Sequence, residues 1–94
     1  MQKGWRLFLE LCLATKEDKL LSELFELLLT SEEIVSIETR SLIIKELLSQ
    51  QYTQREMAEK LQVSIAKITR GSNELKRISA RLRQFLLEQL KRQS

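Results

Sequence analysis

The sequence predicts an all-α fold of about six helices, and three observations support this prediction. Apolar residues recur at spacings of three and four over nearly the whole chain, as they do on one face of a helix. No proline and only two glycines, Gly4 and Gly71, interrupt these periods. Serine or threonine also precedes several apolar periods, at Thr30, Thr53 and Ser64, where its side chain would cap a new helix.

The first two predicted helices, at about 3–15 and 17–29, are apolar on more than one face. Such helices need a packing partner on each face. A chain of 94 residues forms only a thin core by itself, because a short chain buries a small share of its surface. We therefore predict a homodimer whose intersubunit core is built by residues 3–29 and the C-terminal helix. The first helix carries Trp5, Phe8, Leu9 and Cys12 on one side and Leu7, Leu11 and Leu13 on the other.

Capping signals divide the middle of the chain. Thr30 and Glu33 have the spacing of a capping box, in which each side chain accepts a hydrogen bond from the backbone N–H of the other residue. A third helix is predicted to start there and to run through Leu48. Thr53 and Glu56 form a second such pair, which opens a short fourth helix.

Two further helices are predicted after a turn at 62–64. The fifth helix covers about 65–73, and Gly71 near its end would let the chain turn. The sixth helix begins at about Ser79 and has one apolar stripe beside a basic, solvated side. The whole chain, residues 1–94, is predicted to form a single domain.

The charge is uneven along the chain, although the total is only +3. Residues 1–54 carry 6 basic and 9 acidic groups, net −3, whereas residues 55–94 carry 10 basic and 4 acidic groups, net +6. A strongly basic half is expected of a protein that binds an acidic partner such as DNA.

The composition excludes several kinds of site. With no histidine and a single cysteine, Cys12, the chain lacks the residues for a disulfide framework, a thiolate metal cluster or a histidine-based catalytic triad. We predict no enzymatic activity, no cofactor and no metal. Lys3 and Arg6 precede an apolar stretch, as in a signal peptide, but Glu10 interrupts it, and no apolar run approaches the roughly 20 residues that span a bilayer. We expect a cytoplasmic protein that does not enter a membrane.

Residues 53–77 have the pattern of a helix-turn-helix. Ala58 supplies the small residue that the first helix needs where the second helix crosses it. Gln62 lies four residues later, where glycine is common, and is predicted to adopt a positive φ at a cost of about 1 kcal/mol. The apolar residues predicted to fill the angle between the two helices are Met57, Leu61, Val63 and Ile68.

Basic residues cluster around this unit and would neutralise DNA phosphates. Short amphipathic helices joined by a turn also occur in helical domains that bind no nucleic acid, where the same residues form a solvated face. A membrane-surface role is disfavoured, because the basic helix lacks a wide apolar face rich in aromatic residues. The clustered residues are Arg55, Lys60, Lys67, Arg70, Lys76 and Arg77.

The segment 53–76 closely resembles the helix-turn-helix of the bacterial trp repressor family. The likeness is strongest in the runs QRE at 54–56 and ITRGSN at 68–73, and it extends over residues 3–94. It implies an intertwined helical homodimer that binds L-tryptophan as corepressor and then binds palindromic double-stranded operator DNA. It also implies that the chain controls genes of tryptophan metabolism.

The same resemblance implies two tryptophan sites per dimer. The indole would lie between the side chains of Arg40 and Arg70, since guanidinium planes stack on aromatic faces. Thr30 and Arg70 would hold the ligand's carboxylate. The backbone carbonyls of Leu27 and Leu29 from the other subunit would accept hydrogen bonds from its ammonium group.

Two further residues, Gly71 and Glu74, belong to the implied ligand site. Family members have a serine that helps to bind the ammonium group where this chain has Glu74. A carboxylate there could accept a stronger, charge-assisted hydrogen bond from the ammonium, or it could repel the ligand's carboxylate and nearby DNA phosphates. We expect Glu74 to remain a ligand contact, with tryptophan as the corepressor.

For DNA, the resemblance implies contacts at the start of the fourth helix and along the fifth. Arg55 would read guanine, because its guanidinium fits the O6 and N7 edge in the major groove. Lys67 stands where the family often has threonine, and Ala58 where lysine is familiar, so the operator sequence stays open. The implied DNA contacts are Gln54, Arg55, Ile65, Ala66, Lys67 and Thr69.

Two alternatives remain beside the repressor hypothesis. The chain could be a helix-turn-helix protein that binds DNA without a ligand, or that responds to another small amino acid because of Glu74. It could also be a helical dimerisation module whose basic face binds an acidic protein.

Overall fold

The computed structural model describes residues 2–93, which form six helices joined by short turns and no strand. The all-α prediction is therefore confirmed, and the predicted helix ends agree with the structure to within two residues. The helices are α1 (Lys3–Ala14), α2 (Asp18–Leu28), α3 (Ser31–Ser49), α4 (Gln54–Leu61), α5 (Ile65–Leu75) and α6 (Ala80–Arg92).

Both predicted capping boxes are present. At the start of α4, the Thr53 N–H donates to Glu56 Oε1 at 2.8 Å, and the Glu56 N–H donates to Thr53 Oγ1 at 3.1 Å. Thr30 and Glu33 exchange the same two bonds at 2.8 and 3.1 Å before α3. The hydrogen bonds from Thr53, first from its backbone and then from its side chain, lower the pKa of the Glu56 carboxyl. Local sequence thus fixes where these two helices begin.

The helices group into two units, one up to Ser36 and the other from Ile37 onward. In the first unit, the ring centroids of Trp5 and Phe8 lie 5.3 Å apart, and those of Phe8 and Phe25 lie 6.1 Å apart. No residue among 2–36 is buried, although this segment is rich in leucine.

Large apolar side chains are exposed in both units. Leu13 and Leu27 are 84% and 80% exposed, and Phe85 on α6 is 55% exposed. Such exposure is expected of surfaces that are covered by a second protein chain. The homodimer and the single domain over 1–94 stay predictions.

The core of the second unit lies between α3, α4 and α5. Ile43, Met57 and Ile68, one from each helix, are only 4%, 3% and 0% exposed. Of the five residues predicted to lie between α4 and α5, two are therefore buried, and the other three are partly buried and pack against them. The partly buried apolar residues around this core are Leu47, Ala58, Leu61 and Val63.

The turn between α4 and α5 depends on a left-handed residue. Gln62 has φ 56° and ψ 47°, as predicted from its position four residues after Ala58. The Val63 N–H donates to the Ala58 carbonyl at 3.0 Å, which ends α4 and redirects the chain. Gln50, after α3, has the same φ of 56°, which the sequence did not indicate.

The predicted role of Gly71 as a turn residue near a helix end is wrong. Helix α5 continues to Leu75, and Gly71 has no positive φ. A Cβ at this position would lie 2.9 Å from Ile43 Cγ2 and 3.3 Å from Leu47 Cδ1. The glycine is therefore needed because α5 approaches α3 too closely to admit a side chain.

Replacing Gln62 by glycine is expected to stabilise the protein. A side chain in the left-handed conformation costs about 1 kcal/mol, and glycine removes this cost, so the free energy of unfolding should rise by up to about 1 kcal/mol. Urea unfolding followed by circular dichroism, at one fixed protein concentration, measures the change. The control is Gln51→Gly, an exposed linker position without positive φ, which should lower stability. Equal effects of the two substitutions would contradict the interpretation.

Candidate nucleic-acid and ligand interface

Helix α5 presents different residues on its different faces. Ile68 and Leu75 are buried in the second unit. At about 100° per residue, Ile65, Ala66 and Thr69 share another side of the helix, and all three are exposed. Three of the four predicted DNA contacts on α5 therefore lie together on one accessible surface.

The third side of α5 carries charged residues. Arg70 and Glu74 lie one turn apart and are exposed, and Lys67 belongs to this side rather than to that of Ile65. Residues at this spacing can form an ion pair on a helix. Within residues 2–93, however, the side chains of Arg70 and Glu74 form neither an ion pair nor a hydrogen bond. Both remain available to an external ligand.

The first turn of α4 adds the other two predicted DNA contacts. Arg55 is exposed, and its side chain makes no hydrogen bond or ion pair with the described part of the chain. Gln54 is half-buried, and its Oε1 accepts a hydrogen bond from Thr69 Oγ1 at 2.9 Å. The structure thus joins two predicted DNA contacts from different helices, which lie 15 positions apart in the sequence.

The predicted indole-binding arginines lie close in sequence to the residues where α5 approaches α3. Arg40 lies one turn before Ile43 on the same side of α3, and Leu47 follows one turn later. Ile43 and Leu47 lie against Gly71, the residue that directly follows the exposed Arg70. The side chain of Arg40 is also exposed and unpaired within residues 2–93.

The remaining predicted ligand contacts, Leu27, Leu29 and Thr30, belong to the first unit. Leu27 is 80% exposed and Leu29 is half-buried. Because α2 ends at Leu28, carbonyl groups at this end lack the N–H partners of a continuing helix. The Thr30 hydroxyl accepts the capping bond from Glu33 and keeps its own proton to donate. The carbonyl groups can accept hydrogen bonds from an ammonium group, and the hydroxyl can donate one to a carboxylate.

One member of the predicted basic cluster is engaged within the protein. Lys60 Nζ lies 3.2 Å from Glu46 Oε1 and 4.4 Å from the centroid of the Tyr52 ring. The hydrogen bond to Glu46 is the main reason that the pKa of Lys60 is raised. Lys60 therefore ties α4 to α3 and is less available to DNA than the other basic residues. The two residues lie 14 positions apart on different helices, so no local sequence pattern indicates this contact.

The other basic residues of the cluster are exposed and free of ion pairs within residues 2–93. Cations with no internal partner maintain a positive potential that attracts polyanions. These residues are Arg55, Lys67, Arg70, Lys76 and Arg77.

Residues 2–93 were compared with the requirements of two other features, a metal site and a membrane-spanning helix. No group of three or more histidine, cysteine, aspartate or glutamate side chains is placed to hold a metal ion. No helix in this part of the chain is both long and apolar enough to cross a membrane.

Comparison with known proteins gives a consistent result. Residues 3–90 match the family described as Trp repressor protein. A Trp operon repressor homolog of Chlamydia caviae is 48% identical over 85 residues, covering 90% of this chain and 84% of the relative. The homolog of Chlamydia trachomatis serovar D is 44% identical over 89 residues, covering 95% of each chain. That of Vibrio campbellii is 39% identical over 74 residues, covering 79% and 74%.

The substitution Gly71→Ala is expected to destabilise the protein. The new Cβ would lie 2.9 Å from Cγ2 of Ile43. This methyl group is bonded directly to Cβ, and because χ1 of a β-branched residue is restricted in a helix, it cannot rotate out of the contact. Overpacking costs about 1–3 kcal/mol and alanine regains about 1 kcal/mol of helix propensity, so a net loss of up to about 2 kcal/mol should follow. Urea unfolding measures it.

Gly4→Ala provides the matched control, because a Cβ at Gly4 meets no atom within 4 Å. This variant should be at least as stable as the unmodified protein. If Gly71→Ala were as stable as Gly4→Ala, the close approach of α5 to α3 would not constrain residue 71.

Proposed function

Because this chain belongs to the Trp repressor family, we propose that it is a transcriptional repressor that binds palindromic operator DNA as a homodimer, with L-tryptophan as corepressor. The genes controlled would be those of tryptophan metabolism. The observation that carries the proposal is the arrangement of α5, which exposes three of its four predicted DNA contacts, Ile65, Ala66 and Thr69, on one side and the predicted ligand contacts Arg70 and Glu74 on another.

The DNA-binding part of the proposal rests on the pair α4 and α5. Their three-residue turn and shared core have the form of a helix-turn-helix, with α5 as the recognition helix. Ile65, Ala66 and Thr69 are exposed on the side of α5 that would face the DNA. Arg55, free of internal partners, has the donor geometry that guanine accepts in the major groove.

The ligand-binding part rests on unpaired charges near one helix crossing. Arg40 and Arg70 offer two planar cations for an indole ring, and each lies close in sequence to a residue at the contact of Gly71 with Ile43. Glu74 lies one turn after Arg70, so α5 presents one cation and one anion to a zwitterionic amino acid. Arg70 would hold the carboxylate and Glu74 the ammonium.

The dimer is proposed from the apolar surface that the single chain leaves exposed. In the described first unit no side chain is buried, and α6 adds the exposed Leu82 and Phe85. Burial of apolar surface contributes about 25 cal/mol per Å², so a second copy would gain substantially by covering these helices. Two copies would also provide two recognition helices for a palindrome.

The proposed mechanism is a coupling between ligand and DNA through α5. Tryptophan between α3 and α5 would fix the orientation of α5, and with it the direction of Ile65, Ala66 and Thr69. Thermodynamic linkage then requires operator DNA to raise the affinity for tryptophan by the same factor by which tryptophan raises the affinity for the operator.

Operator binding should depend on L-tryptophan. Duplexes enriched by the protein from a randomised palindromic pool, in the presence of L-tryptophan, serve as the operator probe. Fluorescence anisotropy should then show binding at least about fivefold tighter with L-tryptophan than without it, the lower end of ordinary allosteric coupling. Affinity should also fall by orders of magnitude from low to moderate salt.

Variants and controls separate the alternatives. Arg55→Ala should lose preference for the enriched duplex while leaving the oligomeric state and the helix content unchanged. Equal affinity with and without L-tryptophan would favour a helix-turn-helix protein with another effector or none. A salt-insensitive protein that enriches no duplex would instead be a dimerisation module.

Glu74 is expected to contribute to recognition of the ligand's ammonium group. Glu74→Gln retains the shape of the side chain and removes its charge, so L-tryptophan should bind about fivefold more weakly, equivalent to about 1 kcal/mol. Isothermal titration calorimetry measures this affinity. Indole-3-propionate, which lacks the ammonium group, is the matched control ligand. It should bind to Glu74→Gln as tightly as to the unmodified protein.

Two outcomes of the calorimetry would count against this role. Absence of L-tryptophan binding to the unmodified protein would remove tryptophan as the effector. Equal affinity of the unmodified protein and both Glu74→Gln and Glu74→Ala would make Glu74 a solvated residue outside the ligand site.

A further inference from the structure

Two residues predicted to contact DNA form a side-chain hydrogen bond with each other. Thr69 Oγ1 donates to Gln54 Oε1 at 2.9 Å, which connects the second turn of α5 with the first residue of α4. Thr69 is exposed and Gln54 is half-buried. No other side-chain hydrogen bond joins these two helices in the described part of the chain.

We propose that Thr69 is a positioning residue that sets the orientation of the Gln54 carboxamide for a hydrogen bond to DNA. This inference rests on the proposed DNA-binding function and adds a division of labour within it. Gln54 makes the contact, and the hydroxyl of Thr69 acts through Gln54.

The backbone of Gln54 is already held in place. The capping box of Thr53 and Glu56 encloses Gln54 in the first turn of α4, with bonds of 2.8 and 3.1 Å. What remains free in a glutamine at such a position is the side chain, whose ordering on binding costs conformational entropy. The bond from Thr69 removes much of this freedom before DNA arrives, so less must be lost at the interface.

The bond also selects which end of the carboxamide faces outward. When Oε1 accepts from Thr69, both N–H groups of Nε2 remain as donors. The complementary group on DNA is a hydrogen-bond acceptor, either on a base edge or on a phosphate oxygen. Without the hydroxyl, the carboxamide could present its oxygen instead, and that oxygen would repel either acceptor.

A double-mutant cycle on the enriched duplex, with saturating L-tryptophan and fixed salt, tests the inference. Thr69→Val replaces the hydroxyl by a methyl group of similar size, and both Thr69→Val and Gln54→Ala should weaken binding about fivefold. The double variant should bind no more weakly than Gln54→Ala alone, because Thr69 acts only through Gln54. Thr69→Ser, which keeps the hydroxyl, should restore nearly full affinity.

Gln54→Glu supplies a matched test of the donor. Its carboxylate still accepts from Thr69 but offers no N–H group, so it should lose at least as much affinity as Gln54→Ala. Duplexes with single base-pair changes identify the acceptor. If Gln54 contacts a base edge, Gln54→Ala should lose its preference for one base pair at a single position of the duplex. If Gln54 contacts a phosphate, Gln54→Ala should bind every duplex more weakly by the same factor.

Two results would overturn the inference. If the losses of Thr69→Val and Gln54→Ala multiplied in the double variant, Thr69 would contact DNA independently. If Thr69→Val bound as well as the unmodified protein, the hydrogen bond would not matter for recognition. Thermal unfolding of each variant verifies that the fold persists, and Thr69→Ala repeats the cycle if Thr69→Val unfolds. Failure of the unmodified protein to enrich any duplex would instead refute the proposed function itself.

Discussion

Helix α5 approaches α3 so closely at Gly71 that a Cβ there would lie 2.9 Å from Ile43 Cγ2, and Ile43 also belongs to the core that α3, α4 and α5 share. The crossing contributes to the core in which Ile68, packed with Ile43 and Met57, is completely buried. It also leaves the opposite side of α5, with Thr69, exposed. This steric constraint lies on a different side of α5 from the surface proposed to face DNA.

The parts of the structure that were predictable from sequence are those determined locally. Capping boxes at Thr30 and Thr53 marked the starts of two helices, because the partners lie three residues apart and need no tertiary information. Gln62 was recognised as a left-handed residue from its place in the turn, whereas Gln50, with the same φ, has no comparable surrounding pattern. Backbone hydrogen bonding over a few residues suffices to encode such features.

Features that depend on how helices cross were not predictable. Gly71 looked like a turn residue, since glycine is common at helix ends, and only the position of Ile43 shows its packing role. The contact of Lys60 with Glu46 and that of Thr69 with Gln54 join residues 14 and 15 positions apart. The periodicity of single helices carries no information about which pairs will meet. The resemblance to a family implied which residues form the site, but it did not imply these two contacts between helices.

The thin core gives a physical reason why the proposed DNA binding would depend on a small ligand. Among residues 2–93, the buried cluster that holds α4 and α5 against α3 consists of Ile43, Met57 and Ile68. At about 1.5–3 kcal/mol for each fully buried side chain, before conformational entropy is subtracted, such a cluster leaves a small margin for fixing the orientation of α5. A ligand stacked between Arg40 and Arg70 would add contacts of similar size. A larger core would hold α5 rigidly without ligand, and the affinity for DNA would then have little left to gain from tryptophan.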